Sequence, residues 1–139
     1  MTKIQIAESV EYLKKRGFET PEIGIVLGTG LGQLVDNIEN PIEAHYNHIP
    51  HFPLATVEFH TGKLIYGTIE GKKVIVMQGR FHLYEGYDFI DITYPIRVMH
   101  QLGIKQLFVS NAAGAINLDF KKGDIMLIED HINLQGGSP

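Results

Sequence analysis

The chain lacks cysteine, long apolar runs and any excess of basic residues. Without cysteine it cannot form disulfide bonds, use a thiol nucleophile or bind a metal through thiolates. No apolar stretch is long enough to span a bilayer, and the first residues lack the apolar core of a signal peptide, so we expect a cytoplasmic protein with no membrane partner. Lys and Arg number 12 against 16 Asp and Glu, a net charge of −4, which argues against general binding to nucleic acid.

Motifs of several common enzyme classes are also missing. The glycine-rich segment 28–32 is not a dinucleotide fingerprint, because the third glycine of that motif would stand where this chain has Gln33. It is not a P-loop either, since the chain has no Gly-Lys-Ser/Thr. No Gly-x-Ser-x-Gly elbow occurs, and no two carboxylates stand in an obvious glycosidase-like arrangement. These absences argue against a serine hydrolase, a P-loop enzyme and a glycosidase.

Apolar periodicity predicts one α/β domain with a mixed, largely parallel sheet and flanking helices. A length of 139 residues suits a single core. The region 43–59 reads as irregular because Pro50 and Pro53 interrupt it. Helices are predicted over 2–16, from the glycine-rich turn to near 40–41, and from the cap Asp88 to Gly103; strands are predicted at 23–27, 64–69, 73–77, 107–110 and 125–128.

The segment Gly79–Tyr87 places a cation, an imidazole and a carboxylate just past an apolar strand. Arg80 offers a planar fork of donors that suits phosphate oxygens, and His82 can add another donor. Open α/β sheets bind their ligands beyond the carboxyl ends of strands. These features favour an anion site, and the alternative is an ordinary surface salt bridge between Arg80 and Glu85.

Two other turns follow predicted strands. Gly28–Gly32 leads from a strand towards a helix, the context in which backbone N–H groups hold an anion, and Thr29 can add a hydroxyl. Asn111–Ala115 is backbone with short side chains, and its contribution would be a main-chain donor such as the N–H of Ala112. The alternative for both turns is close packing of helix against strand, which also requires small residues.

The seven histidines do not predict a metal site. His45, His48 and His51 lie three residues apart, but the nearby prolines prevent the helix that would align them, and no thiolate or carboxylate partner is evident. His60 differs, because it stands at the entry to a predicted hairpin strand and is placed to point into the same site as Arg80. We therefore expect no metal.

Taken together, the three turns resemble purine nucleoside phosphorylase of the trimeric type. The resemblance rests on Gly28–Gly32, on Gln78–Tyr87, on Ser110–Gly114 and on the two segments Gly123–Ile128 and Asp130–Asn133, and it covers essentially the whole chain. The segment Gln78–Tyr87 is its most specific part. The resemblance implies reversible phosphorolysis of purine nucleosides, which yields the free base and (deoxy)ribose 1-phosphate.

The resemblance also implies residue roles. Tyr84 would contact the ribose, while His82 and Glu85 would support catalysis. The resemblance implies no metal or organic cofactor, with inorganic phosphate as a substrate, and a full-length form that is a homotrimer in the cytoplasm. The phosphate would be held by Thr29, His60, Arg80, Phe81, His82 and the backbone N–H of Ala112.

Members of this family run to nearly twice the present length. Residues 1–139 would then be the N-terminal part of a single nucleoside phosphorylase domain, with the base-contacting residues beyond them. The predicted strand at 125–128 has no helix after it to cover it, which favours the same interpretation. We expect this fragment to be weakly active or inactive alone. The alternatives are a methylthioadenosine phosphorylase, which resembles this chain less around Arg80, and an inactive phosphate-binding paralogue.

Overall fold

The computed structural model describes residues 2–53 and 62–139. Within these ranges two α-helices and five strands form the scaffold, with short 3-10 helices in the connections. The elements are α1 (Lys3–Lys15), β1 (Ile23–Val26), β2 (Glu39–His45), β3 (Lys63–Ile69), β4 (Lys72–Gln78), α2 (Phe89–Leu102) and β5 (Gln106–Val109); the 3-10 helices are Gly32–Asn37, Tyr46–His48 and Leu83–Glu85.

The five strands form one mixed sheet in the order β2-β3-β4-β1-β5. Strand β1 pairs in parallel with β4 on one side and with β5 on the other. Strand β3 pairs in antiparallel fashion with β2 and β4. The predicted mixed α/β sheet is therefore confirmed, with two parallel and two antiparallel pairings. The parallel strands β4, β1 and β5 lie side by side and end at the same edge.

The predicted hairpin between β3 and β4 is confirmed. Its turn is Glu70-Gly71, with φ of 48° and 75°, and Ile69 pairs with Lys72 across it. Positive φ at both central residues is the backbone twist that two-residue hairpins favour, and Gly71 adopts it without steric strain. The turn sets the register that brings the end of β4 to the carboxyl edge of the sheet.

Both predicted amphipathic helices begin at reciprocal caps. The Thr2 hydroxyl accepts from the N–H of Gln5 at 3.2 Å, and Asp88 accepts from the N–H of Asp91 at 2.8 Å. These caps satisfy backbone donors that have no partner inside a helix. Helix α2 continues through its proline and ends at Leu102, followed by the cap residue Gly103, whose φ is 121°. Neither helix, within the described residues, has the length and apolarity needed to cross a membrane.

The two faces of the sheet carry different layers. Alternation along the strands sends Leu64 and Ile75 to the side where α1 and α2 pack, and sends Ile65 and Val76 to the other side. The second side is covered in part by the 3-10 helix Gly32–Asn37. The larger core therefore lies beneath the helices. At the carboxyl edge, the turns after β1 and β4 follow strands whose side chains are packed in these cores.

Two sequence predictions before β3 are wrong. The helix expected after the glycine-rich turn is only the six-residue 3-10 helix Gly32–Asn37. The region that reads as irregular begins inside β2, an edge strand whose ladder is interrupted between Glu39 and Ile42. The reason is Pro41, which has no N–H, together with Asn40 at φ 50°; they break the alternation that reveals a strand.

Two predictions in the last third of the chain also need correction. Strand β5 forms as expected at one edge of the sheet but is exposed along its length instead of buried, because neither core of the described residues extends over its faces. The segment 125–128, predicted as a strand, has no strand partner in the described parts of the chain and its apolar side chains are exposed. A strand needs a ladder to satisfy its backbone groups, so an apolar run alone does not produce one.

Candidate functional site

The site forms where β4, β1 and β5 end. Val26 of β1 pairs with Met77 of β4 and with Val109 of β5, so these strands finish level with one another. The residues that follow them are the three turns that the sequence singles out. This edge is the position where open α/β sheets bind ligands, because backbone and side-chain groups from several strands converge there.

Ser110 joins the three turns. Its hydroxyl accepts a hydrogen bond from the Gly28 N–H at 2.8 Å and donates to the Val26 carbonyl at 3.2 Å. Its own carbonyl accepts from the Arg80 guanidinium at 2.7 Å. Sequence reasoning misses this residue, because the pattern around it predicts only the end of a strand. A hydroxyl residue directly after an apolar strand and before small residues is the signal that could reveal it.

Arg80, His82 and Glu85 form a hydrogen-bonded relay. The Arg80 Nε–H donates to His82 Nε2 at 3.1 Å, and Glu85 Oε2 lies 2.9 Å from His82 Nδ1. An arginine nitrogen only donates, so His82 Nε2 accepts, and the ring proton of the neutral imidazole is on Nδ1 and faces the carboxylate. The Glu85 carboxylate also accepts from the His82 backbone N–H at 2.8 Å. The predicted cluster is thus brought together, with Glu85 bound to His82.

Within residues 2–53 and 62–139, the guanidinium of Arg80 keeps free donors and has no carboxylate partner. Its two hydrogen bonds to described residues go to an imidazole and a carbonyl, which leaves three of the five N–H groups of a guanidinium without a partner among those residues. Among the ion pairs of residues 2–53 and 62–139, none includes Arg80. The simple alternative, an Arg80–Glu85 salt bridge, is absent from that set. A partly buried cation held by neutral groups at this edge is suited to bind an anion.

The other residues of the predicted site differ in their surroundings. Tyr84 is 84% exposed, and its ring stacks on the His82 imidazole with centroids 4.7 Å apart. The Phe81 side chain is 7% exposed and belongs to the core, so it is not available to bind a ligand. Thr29 and Ala112 are exposed beside the residues joined by Ser110. His60 lies outside the described residues.

The sequence offers two interpretations of the glycine-rich turn, a ligand-binding turn and close packing, and different residues of the turn fit each of them. At Gly28 a Cβ would lie 2.5 Å from the Ser110 carbonyl oxygen, so this glycine is required by close packing. Gly30 has φ of 87°, and a Cβ at this position would meet no atom within 4 Å. Glycine is therefore favoured here by the backbone conformation and not by lack of space. Packing explains Gly28, while the exposed turn at 29–30 is accessible to a ligand.

The histidines in 45–51 are not gathered into a metal site. The rings of His45 and His48 are 6.0 Å apart and nearly perpendicular, and His51 pairs with Glu8 of α1. Within the part of the chain that the structure describes, no three His, Asp or Glu side chains are placed to hold a metal ion.

Known proteins match this chain along its whole length. The family described as the phosphorylase superfamily matches residues 22–139. Purine nucleoside phosphorylase 1 of Geobacillus stearothermophilus is 52% identical over 139 residues, which are 100% of this chain and 51% of that protein. The rat purine nucleoside phosphorylase is 46% identical over 128 residues, 92% of this chain and 44% of that protein. The chain spans about half the length of the curated relatives it matches.

Solved structures of similar proteins share the fold. Isoform 2 of the Schistosoma mansoni purine nucleoside phosphorylase, in complex with cytosine and ribose-1-phosphate, superposes with a TM-score of 0.84 at 42% identity, over 88% of this chain and 43% of that one. A purine nucleoside phosphorylase in complex with ribose-1-phosphate gives a TM-score of 0.80 at 50% identity, over 86% of this chain and 44% of that one. On the matched residues and the shared fold, the chain belongs to the phosphorylase superfamily.

Proposed function

We propose that the whole protein is a purine nucleoside phosphorylase and that the Arg80 edge is its phosphate site. The observation that carries the proposal is the Arg80 guanidinium, which is held by His82 and Ser110 and has no carboxylate partner among the described ion pairs. Two relatives that are 52% and 51% identical to this chain are named as purine nucleoside phosphorylase 1, and two similar structures contain ribose-1-phosphate.

In this reaction a phosphate oxygen attacks C1′ of the nucleoside while the N-glycosidic bond breaks. The electron pair of that bond leaves with the purine, and positive charge develops on the sugar. The protein's part is to hold the phosphate dianion against that carbon. Arg80 supplies fixed charge and donors, while the relay from Glu85 orients His82.

The remaining assignments are part of the same proposal. Thr29, His60 and the N–H of Ala112 would add donors to the phosphate, with Phe81 contributing through its backbone. Tyr84, exposed and stacked on His82, would contact the ribose. Phosphate is a substrate, and we propose no metal or organic cofactor. A homotrimer in the cytoplasm is supported by the resemblance to the trimeric type.

The test is release of hypoxanthine from inosine, measured with and without phosphate. It is applied to the 139-residue chain and, if the reading frame continues beyond Pro139, to the longer protein. We expect phosphate-dependent release from the longer protein and weak or no release from the 139-residue chain. Phosphate binding without base release from the longer protein would instead support an inactive phosphate-binding paralogue.

Arg80→Ala tests the assignment of the site. Hydrogen bonds to a charged group contribute about 1.5–3 kcal/mol, so the phosphate KM is expected to rise about 10- to 100-fold. Arg97→Ala is the matched control, because Arg97 is an exposed arginine of α2. Unchanged phosphate dependence in Arg80→Ala, or an equal change in both variants, would contradict the assignment.

A further inference from the structure

Tyr46 is a buried tyrosine whose hydroxyl reaches the turn that carries Arg80. It lies just after β2, is 4% exposed, and donates to the Gly79 carbonyl at 2.7 Å. Gly79 immediately precedes Arg80 and has φ of 91°, a backbone conformation that glycine enters easily. The peptide between these two residues therefore needs a contact to hold its orientation, and the Tyr46 hydroxyl supplies one.

The Tyr46 ring also connects this turn with the beginning of β3. The ring packs on Phe81 with centroids 5.3 Å apart and on Phe52 at 5.5 Å. On another side it lies against Gly62, where a Cβ would be only 2.2 Å from the ring carbon Cε2. The Tyr46 N–H donates to the Gly62 carbonyl at 3.0 Å. One side chain thus contacts the residues on both sides of Arg80 and the residue before β3.

The protonation state of Tyr46 suits this role. Burial raises the pKa of Tyr46, because the phenolate would have to leave water. The hydroxyl therefore keeps the proton that it donates to Gly79. A carbonyl oxygen can only accept, so a phenolate at this position would repel it.

We propose that Tyr46 is a positioning residue for the phosphate site, acting through the Gly79 peptide on the direction of the Arg80 guanidinium. The inference rests on the proposed function for its kinetic consequence. Tyr46 has no role toward the nucleoside in this proposal. Small displacements of a positioned group reduce the rate strongly, so the loss of one hydroxyl here is expected to affect phosphate use selectively.

Tyr46→Phe tests the proposal, with Tyr66→Phe as its matched control. Tyr66 is also buried, stacks on another aromatic ring, Phe18, and donates its hydroxyl to a carbonyl, that of Glu19, at 2.7 Å. Both variants lose one hydrogen bond from tyrosine to backbone, but only Tyr46 contacts the Arg80 turn. A purely structural role would therefore give the two variants the same behaviour.

The kinetic readout, measured on the longer protein, is the KM for phosphate compared with the KM for inosine. We expect Tyr46→Phe to raise the phosphate KM about fivefold, the equivalent of one ordinary hydrogen bond, and to leave the inosine KM unchanged. Tyr66→Phe is expected to change neither constant. Equal effects in the two variants, or an unchanged phosphate KM in Tyr46→Phe, would overturn the proposal.

A second readout does not depend on activity. The chain has three arginines, Arg16, Arg80 and Arg97, so the Arg80 Nε–H resonance can be assigned by its loss in Arg80→Lys. We expect faster hydrogen exchange and broadening of this resonance in Tyr46→Phe but not in Tyr66→Phe. If the longer protein releases no base, the proposed function fails, and this resonance, recorded on the 139-residue chain, still decides the positioning role. Identical Arg80 spectra in the two variants would overturn it.

Discussion

Glu85 shows how one residue of the site acts through another. Its carboxylate accepts from both the ring Nδ1–H and the backbone N–H of His82, and the ion pairs of the described residues do not join it to Arg80. The sequence predicts that cation, imidazole and carboxylate share a site, because all three occur in one short turn. It also allows an Arg80–Glu85 ion pair, and only the folded geometry shows that the carboxylate turns to the imidazole instead.

Glu85→Ala is expected to raise the phosphate KM about tenfold. Without the carboxylate, His82 loses the acceptor for its Nδ1–H and the ring no longer has a fixed orientation towards Arg80; such supporting hydrogen bonds contribute about 1.5–3 kcal/mol. The measurement is phosphorolysis of inosine at varied phosphate concentration.

Asp91→Ala is the control for this prediction. Asp91 stands third in α2 as Glu85 stands third in its 3-10 helix, and it accepts from the backbone N–H of Asp88 at 3.3 Å. Its loss is expected to lower the free energy of unfolding by less than about 1 kcal/mol without changing the phosphate KM. If both variants changed the phosphate KM alike, a role for Glu85 at the site would be untenable.

The elements that have strong local signals in the sequence are the ones that the sequence predicts correctly. Helices α1 and α2 have caps and periodic apolar residues, and the β3–β4 hairpin has a turn that suits its strands. The sequence does not predict strand β2, because its pairing with β3 is a tertiary contact and because Pro41 interrupts the alternation of apolar and polar residues along it. The apolar run at 125–128 has the right composition and lacks a ladder, so composition alone misleads there.

Gly28→Ala tests the contact between the ends of β1 and β5. The new Cβ would lie 2.5 Å from the Ser110 carbonyl oxygen, and backbone cannot move aside as a flexible side chain does. We expect the free energy of unfolding, measured in urea, to fall by about 1–3 kcal/mol, with weaker phosphate binding because Ser110 also holds Arg80.

Gly32→Ala is the matched control at the other end of the same turn. No atom lies within 4 Å of a Cβ at Gly32, so alanine is expected to leave the stability unchanged or to raise it by about 0.4–1 kcal/mol. A loss of stability as large as that of Gly28→Ala would mean that the turn, and not its contact with Ser110, governs the effect.

At the scale of the whole molecule, the sheet and its two helices form a packed core, whereas the last part of the chain is exposed to solvent. Large apolar side chains beyond residue 115 are exposed, for example Leu118 at 96% and Ile125 at 94%. The core beneath the helices instead contains tyrosines with polar partners, among them Tyr46 and Tyr94. Tyr94 bonds to the hydroxyl of Ser9 at 2.7 Å, and burial raises the pKa of Tyr94 as it does that of Tyr46.

These tyrosines predict a loss of stability in alkali. Their pKa values in the folded state are raised above the ordinary value of 10.0, so the unfolded chain releases protons first as the pH rises. The stabilisation is complete below about pH 10, and above it the free energy of unfolding is expected to fall by up to about 1.4 kcal/mol per pH unit for Tyr46.

The measurement is urea unfolding between pH 7 and about pH 11 for the wild type and Tyr46→Phe. The variant is expected to be less stable at pH 7 and to approach the wild type above pH 10, since it has no proton to lose at this position. Tyr84→Phe, at a residue that is 84% exposed, is expected to follow the wild-type slope. A constant difference between wild type and Tyr46→Phe at all pH values would exclude this linkage.

The sequence by itself determined the local parts of this protein. Caps, periodic apolar residues, hairpin chemistry and the short turn around Arg80 depend on neighbours along the chain, and so does the family resemblance. The tertiary structure decided how those parts meet. Four contacts form only in the folded chain: β2 pairs with β3, Ser110 bonds to Gly28, Glu85 bonds to His82, and the Tyr46 hydroxyl bonds to Gly79. Such contacts depend on the register and packing of the sheet, which a local pattern does not encode.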